Sequence, residues 1–68
     1  MDQVYNCVQR MRMERGITQE ELAISVGVTR QTIISIEKGN YTPSVLLALN
    51  ISRFFKQAVE DIFYLTRK

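Results

Sequence analysis

"QEELAISVGVTRQTIISIEK", residues 19–38, carries an apolar pattern broken by a single glycine. Leu22, Ala23 and Val26 recur at helical spacing, Gly27 and Val28 interrupt them, and Ile33 and Ile36 resume the pattern. Two short helices joined by a sharp turn account for this. Gly27 suits the joint because a tight turn often needs a backbone conformation that other residues adopt only at a cost. Ala23 is small where the second helix of the pair must approach the first. With each residue turning about 100°, Thr29 and Ile36 fall on the same side as Ile33, while Gln31, Ile34, Ser35 and Lys38 face the other way. Arg30 lies to one side in the first turn. This spacing is that of a helix-turn-helix, whose second helix lies in the DNA major groove.

The outward residues suit that use. Arginine can donate twice to guanine and glutamine can pair with adenine, so Arg30 and Gln31 are candidate base contacts. Ser35 can reach a base or a phosphate, and an outward Ile34 suits a thymine methyl group. Gln19, Thr29, Lys38, Asn40 and Tyr41 surround this helix with amides, hydroxyls and one ammonium, a set fit for phosphates. The bland alternatives are a solvated helix start for Arg30 and Gln31, and ordinary loop chemistry for Lys38, Asn40 and Tyr41.

Working outward, Asn6 caps a first helix running to about Arg15, with Gly16 closing it. Val4, Val8, Met11 and Arg15 share one face of it, and Arg12 points the same way. Thr18 and Glu21 form a capping box for the second helix, and Thr29 caps the third. Thr42-Pro43 supplies a cap and a first-turn proline for a fourth helix reaching about Phe55. A fifth covers Val59 to Phe63, although "IFYL" is rich in β-formers and allows a short strand. The expected fold is all-α, five helices in one domain over residues 1–68, with room for a short terminal β-pairing.

Composition narrows the function. With 68 residues, one cysteine and no histidine, the chain has no internal disulfide and no ordinary zinc site. An apolar content of 46% suits a folded domain rather than a disordered one. The net charge of +2 permits anionic partners. No apolar run approaches the roughly 18 residues that span a membrane, and no signal peptide opens the sequence, so a reduced, cytoplasmic protein is expected. Glu20 and Glu21 belong to helix-start chemistry, no catalytic constellation is present, and nothing calls for a cofactor or small-molecule ligand. Cys7 reads as a small apolar filler, Met11 as core and Met13 as exposed.

"TQEELAISVGVTRQTIISIEKGNYTPS", residues 18–44, resembles the core of the phage-repressor and Cro family, also called the XRE family. The likeness extends from Asn6 to Phe63 and is strongest to small stand-alone prokaryotic members. It implies a lambda-repressor-like fold and a sequence-specific regulator that binds palindromic double-stranded DNA as a homodimer. It also implies a structural ion pair between Arg12 and Glu37, two charges that both point to the apolar face of their own helix. An unpaired buried charge is costly, which argues independently for the same pairing.

Three positions depart from the family pattern. Lys56 stands where glycine is common, Ala58 where a Ser or Pro cap is common, and Leu46 where a charge is common. The first two suggest a differently shaped junction between the fourth and fifth helices. Leu46 fits a wider pattern: Leu47, Ile51, Phe54 and Phe55 fill one side of the fourth helix, while Val45 and Leu49 lie nearly opposite. A helix apolar almost all round is a buried helix. So small a chain cannot cover both sides, so a second copy is expected on Val45, Leu46 and Leu49. The tail, with Phe63 and Leu65, and the residues around Val4 and Tyr5 can add strand pairing to that interface. Repression is expected over activation, since the chain shows no effector domain. Two other readings stay open: the antitoxin or accessory half of a two-protein system, and an interaction module that reads no bases.

Overall fold

Val8, Leu22, Ala23, Val26, Ile33, Ile36, Leu47, Ile51, Phe55 and Ile62 converge into one core in a computed structural model that describes residues 3–66. Met11, Ile17, Val28, Phe54 and Phe63 pack around its edge. Burying each of the larger aliphatic side chains contributes about 1.5–3 kcal/mol. The elements run β1 (Tyr5–Asn6), α1 (Val8–Glu14), α2 (Gln19–Val26), α3 (Arg30–Glu37), α4 (Val45–Phe55), α5 (Val59–Ile62) and β2 (Phe63–Tyr64). Among the described residues five helices thus enclose the core, and a two-stranded antiparallel sheet pairs Tyr5 with Tyr64 and Asn6 with Phe63.

The α2–α3 joint follows the sequence expectation. The Thr18 hydroxyl accepts from the Glu21 N–H while the Glu21 carboxylate accepts from the Thr18 N–H, closing the capping box. Gly27 ends α2 in the left-handed region, at φ +79°. A Cβ placed there would meet nothing within 4 Å, so the backbone dihedral, not space, calls for glycine. The Thr29 hydroxyl then caps α3 by accepting from the Thr32 N–H at 3.3 Å.

Several boundaries differ from expectation. Asn6 is drawn into the sheet, so Cys7 occupies the cap position of α1 and makes no side-chain cap bond. The Asn6 side chain still serves that helix, accepting from the Val8 N–H at 3.0 Å. Helix α4 begins later than Thr42-Pro43 suggests. Its cap is Ser44, whose hydroxyl accepts from the Leu47 N–H at 3.1 Å, which leaves Thr42 and Pro43 in the connecting loop. Helix α5 stops at Ile62 because Phe63 turns extended to pair with Asn6. The strand residues expected to join an interface between two copies therefore pair within the chain. The Cys7 N–H donates to the Ile62 carbonyl at 3.1 Å and extends the seam by one bond.

Lys56 keeps the turn that glycine would make, closing α4 in the left-handed region at φ 57°, ψ 41°. Its N–H donates to the Arg53 carbonyl, and the next N–H, that of Gln57, reaches the Ser52 carbonyl. The junction is therefore shaped as a glycine-closed one would be, with the strain left in Lys56. Ala58 starts α5 without a side-chain cap.

Candidate nucleic-acid interface

Helix α3 is anchored from beneath by Ile33 and Ile36, both fully buried. That orientation turns Arg30, Gln31 and Lys38 outward into solvent, with Ile34 and Ser35 half-buried beside them. Thr29 is exposed, although helical rotation alone puts it on the buried side. As the cap it lies outside the regular spiral, and its hydroxyl turns to Thr32, 3.1 Å away.

Tyr41 folds back beside α3. Together with Thr29, Gln31, Thr32 and Ser35 it lines an open cleft of about 150 Å³ on the outward face. Thr32 is an addition to the expected set; its place three residues after a capping threonine is the signal for it in the sequence. Lys38 and Asn40 lie elsewhere, in a groove of about 360 Å³ between the end of α3 and the sheet, which Gln3, Tyr5 and Tyr64 also line. The structure thus gathers Thr29, Gln31, Ser35 and Tyr41 at one place and sets Lys38 and Asn40 at another. Asn40 is fixed there by its N–H, which donates to the Ser35 carbonyl at 2.9 Å.

Beneath the last turn of α3 lies a polar network. Arg12 Nε donates to Glu37 Oε2 at 2.7 Å and Arg12 Nη2 to Glu37 Oε1 at 3.2 Å, a two-pronged ion pair. The side chains are only 12% and 3% exposed. The third nitrogen of Arg12, Nη1, donates to the Ile17 carbonyl at 2.9 Å. Gln19 Nε2 adds another donor to Glu37 Oε1 at 3.1 Å. The Gln19 side-chain amide, expected at a phosphate, is therefore committed to Glu37. Its backbone N–H remains at the opening turn of α2, where the helix dipole favours an anion. At the surface, a hydrogen bond to Glu14 raises the pKa of exposed Arg10.

On α4, Val45, Leu46 and Leu49 are 76%, 70% and 52% exposed, and Leu65 is exposed as well. Phe63, expected with them, packs against the chain's own core and is only half-exposed. Two further features lie outside the sequence expectations. Ile24 is exposed on the outer side of α2. Arg15, expected on the apolar face of α1, is exposed and sets its guanidinium over the rings of Phe54 and Phe55 at 5.2 and 5.3 Å. Its long stem reaches past the core edge, so the charge stays in water while covering two aromatic faces.

The family model described as helix-turn-helix matches residues 8–62. The HTH-type transcriptional regulator YgzD of Bacillus subtilis is 52% identical over 60 residues, covering 88% of this chain and 91% of the relative. An HTH-type transcriptional regulator of Methanothermobacter thermautotrophicus is 56% identical over 59 residues, covering 85% and 86%. Among solved structures, the restriction-modification controller protein C.AhdI from Aeromonas hydrophila superposes with a TM-score of 0.73 at 22% identity, over 79% of this chain and 82% of its own. A transcriptional regulator from Listeria innocua reaches 0.79 at 14% identity, over 94% and 64%. At such identities the structural likeness establishes the fold.

Proposed function

Since this chain belongs to the helix-turn-helix family of DNA-binding transcriptional regulators, we propose that it is a homodimeric repressor that reads a two-fold-symmetric operator. The observation that carries the reading is the outward face of α3, where Arg30 and Gln31 stand exposed above the fully buried Ile33 and Ile36. Arg30 and Gln31 supply donors and an acceptor for guanine and adenine edges, and Ser35 a hydroxyl. Ile34 offers an apolar surface to a thymine methyl. Thr29, Lys38, Asn40, Tyr41 and the Gln19 N–H flank this face and take phosphates, which fix register without reading sequence.

The second copy sits on Val45, Leu46 and Leu49, with Leu65 at the margin. The two reading helices then address half-sites about one helical turn, roughly 34 Å, apart. A dimer seated on such an operator excludes other proteins from the same DNA, which is the simplest route to repression. The partner DNA places the protein in the cytoplasm, and among the described residues no helix is long and apolar enough to cross a membrane. The family consists of regulators, so no enzymatic activity is assigned.

Binding selection on randomised duplex DNA at near-physiological salt, with the protein's mass in solution recorded alongside, tests the proposal. A symmetric site recovered by a dimer is expected. Salt-sensitive binding with no enriched sequence would sink the base-reading role and point to an interaction module. On the recovered site, Arg30→Ala is expected to cost about 1–3 kcal/mol and relax preference at one position, whereas Lys38→Ala should weaken all sequences alike and lower the salt slope by about one unit.

A further inference from the structure

Three side chains from three different elements converge on the last turn of α3. From β1, Asn6 Nδ2 donates to the Ile36 carbonyl at 2.9 Å, across thirty positions of sequence. From α1, Arg12 grips the Glu37 carboxylate, and from α2, Gln19 Nε2 donates to the same carboxylate at 3.1 Å. By contrast, the polar contacts of the first turn, where Arg30 and Gln31 stand, are those of its own cap, Thr29 with Thr32. The side-chain hydrogen bonds from other elements thus meet α3 at its last turn, while its reading side chains stand at the first.

We propose that Asn6 and Gln19 are positioning residues for DNA reading: they fix the tilt of α3 and so determine how well Arg30 and Gln31 meet base edges. The proposal rests on the DNA-reading role above. Ile33 and Ile36 bury the helix, but apolar contacts are non-directional and resist sliding and tilting less well than hydrogen bonds of fixed geometry. From Ile36 to Arg30 the helix rises about 9 Å, so a tilt of about 10° moves the reading end by about 1.6 Å. A preorganised site tolerates a displacement of about 0.5 Å. Asn6 is suited to this task because its amide faces two ways. Its Oδ1 accepts from the Val8 N–H at the start of α1 while its Nδ2 holds the end of α3, so the two helix ends are joined through one planar group. Gln19 plays the matching part from the opening turn of α2, tying the first helix of the reading pair to the end of the second.

Two substitutions separate positioning from folding. Asn6→Asp keeps the acceptor for the Val8 N–H but replaces the donor to Ile36 with an oxygen. Gln19→Met keeps length and helix propensity but removes the donor to Glu37. Affinities of the wild type and both variants are measured on the selected operator and on a scrambled duplex at one salt concentration, with thermal midpoints recorded. In each variant, the ratio of operator to scrambled-duplex affinity is expected to fall about tenfold, roughly the value of one bidentate base contact. Variants that lose stability, or lose both affinities equally, yet keep the wild-type ratio of operator to scrambled binding would overturn the proposal. Equal losses for Gln19→Met alone would mark that side chain as a phosphate contact instead and remove it from the positioning set. A wild type that distinguishes no sequence overturns the underlying DNA-reading role, a different result from a selective wild type with equally selective variants.

Discussion

Glu37 is a carboxylate almost closed off from water, and it remains acceptable as a charge only because nitrogen donors from Arg12 and Gln19 surround it. Half of that arrangement is legible in the sequence: two opposite charges on the apolar faces of their helices have few places to go except to each other. Gln19 is not legible in the same way, since an amide carries no charge to announce its partner and its distance along the chain from Glu37 fixes nothing. Lys56 shows the opposite case, where the residue disagrees with its conformation. Nothing about a lysine suggests the left-handed region, yet the turn between α4 and α5 requires it, and the backbone hydrogen bonds from the Lys56 and Gln57 N–H groups hold it there. Lys56→Gly is therefore expected to raise stability by about 0.5–1 kcal/mol, the relief of strain less the extra freedom glycine gives the unfolded chain. Urea unfolding checks this through a higher midpoint at unchanged slope; a lower midpoint would mean that the Lys56 side chain stabilises the turn.

For the helices, caps and glycines made α2 and α3 readable almost to the residue, because hydroxyl, carboxylate and turn signals all coincide there. The start of α4 differs from the expectation for a local reason: Thr42 and Ser44 are both competent caps, and Pro43 between them favours the earlier one on pattern alone. Ser44 takes the role, its hydroxyl accepting from the Leu47 N–H, and Leu47, Ile51 and Phe55 of the helix it caps lie in the core. Ser44→Ala should cost about 1 kcal/mol. Thr42→Ala, by comparison, should stay within about 0.5 kcal/mol, as for a surface position without a special role. A reversed order in thermal unfolding would return the cap to Thr42. The end of α5 was ambiguous because "IFYL" has both helical context and β propensity, and the partner that resolves it lies at the other end of the described chain.

For the whole molecule, the exposed apolar row of Val45, Leu46 and Leu49 is what one copy leaves uncovered. Its position was readable from α4 being apolar on nearly every side, whereas the role of Phe63 was not, because its burial depends on a strand pairing between distant segments. Replacing both Leu46 and Leu49 with Glu should convert a dimer to a monomer in sedimentation equilibrium and reduce operator affinity by about 10²-fold or more through lost bivalency. A mass that stays dimeric would move the interface off α4. The seam between β1 and β2 depends on the rest of the fold. It closes a loop nearly as long as the described chain, and closure entropy grows with loop length, so the pairing is favoured only with the helices holding its two ends together. Asn6 lies in that seam and also grips the end of α3. Opening of that seam would thus also loosen the hold on the end of α3, since one residue takes part in both.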